Sequence, residues 1–279
     1  MRCVNPSKID LIGQGKDMHV YVPCGACHQC RIMKKQAWVL RNRLEEKGNN
    51  HASFITLTYR EEPENLEYND IQRFHRRLRK NVGDEKIRFF IVGEYGEQSA
   101  RPHWHALYYS DTDRYLRKVE AAWSQGFVYI GECNYKTIGY VCGYTLKNSI
   151  RPEIIVRSSL KPGIGHDKMV EYGKKLARVR PCLEKVPTRI SLHGRSYPLD
   201  RYMYNTLQKA YLKGGGVING RVSSTLGALR NLHFETVMGP EFAEYRIEMA
   251  KSSAQEQRVN VLKTEGISAS GKAKKQKVV

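Results

Sequence analysis

Arg101-Pro102-His103-Trp104-His105-Ala106-Leu107-Tyr108-Tyr109 is the stretch from which the fold is read. In a strand, successive side chains point to opposite faces, so His103 and His105 project together from one face of a sheet. Trp104 then points the other way, into a core. Upstream, Ile87 to Glu94 reads as a second strand, and Gly93-Glu94-Tyr95-Gly96 with a polar turn makes the two arms of a hairpin. Downstream, Tyr140-Val141-Cys142-Gly143-Tyr144-Thr145-Leu146-Lys147 places two tyrosines and a lysine at i, i+4 and i+7. That spacing puts Tyr140, Tyr144 and Lys147 on one face of a helix.

Working outward, Ser53 to Tyr59 is β-branched and aromatic with alternation, a strand. Asn69 or Asp70 is expected to cap a helix from Ile71 to Asn81, with Ile71, Phe74 and Leu78 inward. Asp113 to Gln125 reads as a helix with Leu116, Val119 and Trp123 inward and Gly126 as its C-terminal cap. Phe127 to Ile130 is a short strand, and Thr137 to Asn148 is the tyrosine helix. Before all of these, Ile32 to Leu44 is helical, its apolar positions Ala37, Leu40 and Leu44 recurring at helical spacing. This order predicts an α+β fold: an antiparallel sheet of about five strands with flanking helices, on the RRM or ferredoxin-like plan.

Beyond Ile150 the signals thin. Lys161-Pro162-Gly163-Ile164-Gly165-His166 is a Pro/Gly turn, Leu199 to Lys213 a helix ended by Gly214-Gly215-Gly216, and Glu241 to Gln257 another helix. The chain therefore divides into a basic, cysteine-rich region (1–50), the sheet-bearing core (51–150), a helical and irregular extension (151–262) and a basic, disordered tail (263–279).

A chain of 279 residues with 41% hydrophobic residues can bury a core, but its net charge of +19 exceeds what solubility needs. Such a field concentrates polyanions and gains from counterion release on nucleic acid. Candidate phosphate contacts are Arg73, Arg76, Arg77 and Lys80 on one helix, and Arg31, Lys34 and Lys35 on another. There is no run of eighteen apolar residues and no signal-type N-terminus, so a soluble protein of a reducing cytoplasm is expected, without a membrane partner. No G-x-x-x-x-G-K-[ST] loop is present, so an ATP-driven motor of that type is not expected. The seven cysteines are odd in number, and Cys24-Gly25-Ala26-Cys27-His28-Gln29-Cys30 contains two overlapping C-x-x-C spacings. Zinc is the reading for Cys24, Cys27 and Cys30, with His28, His51 or Cys3 as the fourth ligand.

His103 and His105 can hold a divalent metal that polarises a scissile phosphate. Two imidazoles do not fix an ion, and Glu94, at the end of the paired strand, is the expected third ligand, with Glu97 as the alternative. Mixed imidazole and carboxylate ligation suits Mn²⁺ or Mg²⁺. Tyr140 or Tyr144 would attack phosphorus, leaving a 5′-phosphotyrosine and a free 3′-OH, with Lys147 stabilising charge.

Phe54-Ile55-Thr56-Leu57-Thr58-Tyr59, Gly93-Glu94-Tyr95-Gly96 with Arg101-Pro102-His103-Trp104-His105, and Tyr140-x-x-x-Tyr144-x-x-Lys147 resemble motifs I, II and III of the HUH rolling-circle endonucleases. The cysteine cluster and Lys161-Pro162-Gly163-Ile164-Gly165 resemble, more narrowly, the replication initiation proteins of gokushovirus-like microviruses. The resemblance covers roughly residues 20–170. It implies an RRM-like core, nicking and rejoining of single-stranded origin DNA, rolling-circle replication of a small circular phage genome, and work in the host bacterial cytoplasm with a host helicase and replication machinery. It also implies His103, His105 and Glu94 as metal ligands and Tyr140 and Tyr144 as nucleophiles. A transposase or relaxase of the same superfamily, and a zinc-stabilised DNA-binding or packaging protein without catalysis, are the competing readings.

Overall fold

The computed structural model describes residues 3–10, 19–96, 100–147 and 153–218. These fall into two compact units, one of the residues up to Cys30 and one from Arg31 onward. In the first, β1 (Ser7–Asp10) pairs antiparallel with β2 (His19–Val22), Ser7 opposite Val22. α1 (His28–Gly48) begins at the end of this unit and runs on into the second.

The second unit contains β3 (His51–Tyr59), α2 (Tyr68–Val82), β4 (Arg88–Tyr95), β5 (Pro102–Ser110), α3 (Leu116–Ala122), β6 (Gly126–Glu132) and α4 (Tyr135–Lys147). It continues through β7 (Ile155–Ser158), α5 (His166–Val179), β8 (Cys182–Leu183), β9 (Arg189–Leu192), β10 (Arg195–Pro198), α6 (Arg201–Lys213) and β11 (Val217–Ile218). Five strands form one antiparallel sheet in the order β6-β3-β5-β4-β7. The expected α+β architecture is the one observed, with the fifth strand, β7, lying just beyond residue 150.

Strand alternation sends the two faces of this sheet into different cores. Ile55, Leu57, Ile91, Trp104 and Tyr108 pack against Ile71, Phe74 and Leu78 of α2 and Val119 of α3. On the other face, Phe90, Val92, Leu107 and Tyr109 meet Val39, Leu40 and Leu44 of α1 and Ile138, Val141 and Cys142 of α4, with α5 and α6 in the same cluster. Trp104 is fully buried away from the histidines, and its indole N–H donates to Tyr59 Oη at 2.9 Å.

Three local expectations are corrected. Asp70 does not cap α2; the helix starts at Tyr68 after Glu67, and Asp70 is buried, accepting from Tyr59 Oη (2.8 Å), from Gln125 (2.9 Å) and from Arg73. α3 is shorter than Asp113 to Gln125, because Trp123 turns extended (φ −92°, ψ 90°) and its indole donates to the Thr58 carbonyl at 2.9 Å. Gly126 therefore caps no helix: it starts β6, where a Cβ would lie 2.1 Å from the Thr58 carbonyl oxygen.

The turn from Lys161 to Gly165 is clamped by polar groups of α1 and β4. Arg41 Nε donates to the Ile164 carbonyl (3.1 Å), Arg88 to the Pro162 carbonyl (3.0 Å), and Gly165 N–H to Glu45 Oε2 (2.6 Å). Arg88 and Glu45 also form an ion pair, both largely shielded from water. Gly165 is required at φ +81°, with Arg41 backbone against it. Arg41 and Glu45 are thus structural rather than parts of a solvated helix face. The expected helix from Glu241 to Gln257 and the basic tail lie outside the described residues.

Candidate active site

The hairpin of β4 and β5 does what the spacing required: Glu94 is the direct cross-strand partner of His103, and Val92 of His105. His103 Nε2 lies 3.2 Å from Glu94 Oε1, and His105 Nε2 lies 3.6 Å from the same oxygen. The far ring nitrogens are also engaged. His103 Nδ1 is 3.0 Å from the Arg101 carbonyl and His105 Nδ1 is 3.0 Å from Thr56 Oγ1, which is brought opposite by the β3–β5 register. Both Nε2 atoms are consequently turned toward Glu94, the orientation in which two imidazoles and a carboxylate share one ion. One donor atom from each residue lies within 4.8 Å of the others, and the set fits a divalent cation. Glu97, the alternative ligand, lies outside the described residues.

Burial works to raise the pKa of the Glu94 carboxyl, but hydrogen bonding from His103, His105 and Tyr144 outweighs it and holds the group at about 2. His103 is raised: desolvation opposes its charge, yet the Glu94 and Arg101 hydrogen bonds prevail. His105, more deeply placed, is lowered by burial and by the neighbouring His103 despite Glu94. The pair is thus electrostatically unequal, with the imidazole nearer the tyrosines favoured as neutral.

α4 delivers those tyrosines. Tyr140 Oη lies 3.2 Å from His105 Nε2, and Tyr144 Oη donates to Tyr140 Oη at 2.6 Å. Tyr140 is 49% exposed whereas Tyr144 is 6% exposed, its ring stacked on His105 at a centroid distance of 5.6 Å. Burial, then the Glu94 hydrogen bond and contact with Tyr140, push the Tyr144 phenol well above its ordinary pKa, so it stays a donor. Lys147 Nζ sits 5.0 Å from the Tyr144 ring centroid, one turn on, as the i+7 spacing required.

Next to the triad is a cavity of about 450 Å³ lined by Phe54, Thr56, His105, Tyr129, Lys136, Thr137 and Tyr140. Across the sheet, Phe127, Thr58, His103 and Glu94 form one row, and Tyr129, Thr56, His105 and Val92 the next. Phe127 and Tyr129, each 62% exposed on the edge strand β6, therefore extend the histidine face outward as an aromatic lane. Of this lining the sequence pointed to His105 and Tyr140. Thr56, Lys136 and Tyr129 were not singled out because only strand pairing and the approach of α4 bring them together.

The predicted basic contacts separate. α2 packs on the opposite face of the sheet, where Arg73 pairs with Asp70 and Arg77 Nε donates to the Ala122 carbonyl at 2.7 Å. Arg76 and Lys80 share that helix. On α1, Lys35 reaches α4: its Nζ would lie 3.7 Å from a Cβ at Gly143. Arg31 and Lys34 lie on the first turns of the same helix. Cys24, Cys27 and Cys30 come together with Cys3; His28 is not in that group.

With the strand pair, its carboxylate and the two tyrosines in place, the comparison with known proteins has a geometric meaning. Residues 52–149 match the family model for the ORF2-type replication-associated protein. Curated phage proteins are similar over longer stretches. Replication-associated protein ORF4 of Chlamydia phage 1 is 26% identical over 242 residues, covering 73% of this chain and 58% of its own. Replication-associated protein ORF2 of Spiroplasma virus 4 is 31% identical over 155 residues, or 45% of this chain and 48% of that protein. Replication-associated protein VP4 of Bdellovibrio phage phiMH2K is 24% identical over 183 residues, 53% and 58% of the two. The chain spans about half the length of these relatives. No solved structure matches it. No helix among the described residues is long and apolar enough to cross a membrane.

Proposed function

We propose that the chain is a phage replication initiator that nicks single-stranded origin DNA through a tyrosine–phosphate intermediate and rejoins it. The observation that carries this reading is the placement of an exposed phenol, Tyr140, with its oxygen 3.2 Å from His105 Nε2 beside the His103–Glu94 pair. A divalent cation such as Mn²⁺ or Mg²⁺, held by Glu94, His103 and His105, would supply Lewis acidity to the scissile phosphate.

Tyr140 loses its phenolic proton and its oxygen bonds to phosphorus. The bond from phosphorus to the 3′ oxygen breaks, and that oxygen takes up a proton and leaves as a 3′-OH. The ester keeps the energy of the broken bond, so a later 3′-OH can attack it and restore the strand without ATP. Tyr144, buried and protonated, donates to the Tyr140 oxygen and steadies it as charge develops. Lys147 adds positive charge one helical turn away. The aromatic lane of Phe127 and Tyr129, with Lys136 at the cavity, offers stacking faces and a cation to unpaired nucleotides, which favours single-stranded DNA over duplex. Unwinding by a host helicase, synthesis by host enzymes and a place in the host cytoplasm belong to the same proposal.

The test is a covalent-adduct assay on a denaturing gel, with single-stranded and duplex oligonucleotides tiling the origin of the phage genome, in Mn²⁺. An adduct on a single-stranded fragment, abolished by EDTA, supports the reading. Binding of every fragment with adduct on none overturns it and favours a non-catalytic DNA-binding protein.

A further inference from the structure

The cysteine cluster takes no part in the chemistry above. Cys3 Sγ lies 3.6 Å from Cys24 Sγ and 3.9 Å from Cys27 Sγ, and all four sulfurs of Cys3, Cys24, Cys27 and Cys30 lie within 4.8 Å of one another. None of the four is in a disulfide. A tetrahedral zinc with Zn–S bonds of about 2.3 Å has sulfur–sulfur edges of about 3.8 Å. The measured separations are therefore those of a tetrathiolate shell, not of a sulfur–sulfur bond at about 2.05 Å.

Local structure builds this shell from both ends. The β1–β2 hairpin pairs Ser7 with Val22, so Cys3, four residues before one strand, returns beside Cys24, two residues after the other. Gly25 adopts φ +74°, with open space where a Cβ would be, so it is there for its conformation rather than for room. That turn brings the Cys27 N–H to Cys24 Sγ at 3.3 Å, and the Cys24 N–H meets Cys3 Sγ at 3.3 Å. Backbone donors aimed at sulfur are suited to thiolates, the form a metal ligand requires. Cys30, three residues further on, occupies the first turn of α1. The unit's two strands are of four residues each, too little structure to close a large apolar core, the setting in which small units rely on a metal.

We propose that Cys3, Cys24, Cys27 and Cys30 form a closed, structural zinc site that holds the N-terminal hairpin to the start of α1. Cys3 thereby takes the fourth place for which His28 and His51 were the alternatives. The site is closed because four protein thiolates leave no position for water or substrate.

The experiment uses the full chain carrying His103→Ala and His105→Ala, so that the triad does not contribute bound metal. Metal analysis after gel filtration is expected to give one zinc per chain, and X-ray absorption at the zinc edge a shell of four sulfurs at about 2.3 Å. In that background Cys3→Ser is expected to lose the zinc or show three sulfurs, while His28→Ala keeps four. Absence of zinc, a shell of three sulfurs and one nitrogen in the Cys3-containing chain, or loss of zinc in His28→Ala with retention in Cys3→Ser, would overturn the assignment. The absorption spectrum of the Cys3-containing chain decides the question even if Cys3→Ser does not fold. None of these readouts depends on nicking, so they stand apart from the proposed function.

Discussion

Gly93 sits beside Glu94 on β4 and directly opposite Trp104 on β5. A Cβ added there would meet three ring atoms of Trp104 at 2.6, 2.7 and 2.9 Å. Carbon atoms settle at about 3.5 Å or beyond, so in Gly93→Ala the ring must withdraw by about 0.9 Å. It has little room to do so. Trp104 is fully buried, its N–H is held by Tyr59 Oη, and that hydroxyl is held in turn by buried Asp70. Overpacking of this kind costs about 1–3 kcal/mol, which in a unit of this size lowers Tm by several degrees. The strain falls on the backbone between Glu94 and the two histidines. Affinity for Mn²⁺ should therefore fall together with stability. Calorimetric titration and urea unfolding of Gly93→Ala, Trp104→Phe and the double variant check this. The smaller ring is expected to relieve the clash, so the double variant should be more stable than the sum of the two singles implies. Gly93→Ala with unchanged Tm and unchanged Mn²⁺ affinity, or strictly additive effects in the double variant, would refute the reasoning.

Other outcomes follow from single contacts. Thr56→Val removes the oxygen that orients His105 through Nδ1, and should weaken Mn²⁺ binding about 10- to 100-fold while leaving Tm nearly unchanged, measured by the same titration. Glu45→Gln leaves buried Arg88 without its countercharge, and should cost about 3–5 kcal/mol in urea unfolding. His75, buried beside Phe89 with Nε2 2.6 Å from Tyr108 Oη, has its pKa lowered to about 3 by burial and then by Arg79. The unfolded chain takes up a proton on this ring below about pH 6.5 and the folded chain does not until about pH 3, so stability falls as pH falls between the two. The slope should approach about 1.4 kcal/mol per pH unit, and His75→Gln should flatten the chemical-denaturation profile over that window.

The central sheet was legible because its side chains alternate strictly: His103 and His105 on one face with Trp104 on the other is a statement about β geometry alone. The hairpin then fixed Glu94 as the residue opposite His103, and the i, i+4, i+7 spacing fixed the tyrosine face of α4. What escaped depends on contacts between distant segments. α5 carries buried Met169, Gly173 and Ala177, small residues that meet α6 where a Cβ on Gly173 would lie 2.6 Å from that of Ala210, so its hydrophobic periodicity is faint. Trp123 ended α3 early through a hydrogen bond to another strand, which no local propensity announces. Arg41 and Glu45 look like surface charges on a basic helix, and are buried because the Lys161–Gly165 turn docks on them. The role of Thr56 follows from register with a strand some fifty residues away, and that of Cys3 from a hairpin that returns the chain to Cys24.

The most direct test of the central claim is the identity of the tyrosine joined to DNA. Tyr140→Phe, Tyr144→Phe and the double variant would each be incubated with the single-stranded origin fragment and Mn²⁺, and the adduct digested and mapped by mass spectrometry. The account predicts no adduct for Tyr140→Phe, a slower but real adduct at Tyr140 for Tyr144→Phe, and none for the double variant. A first adduct at Tyr144 with Tyr140→Phe fully active would contradict it.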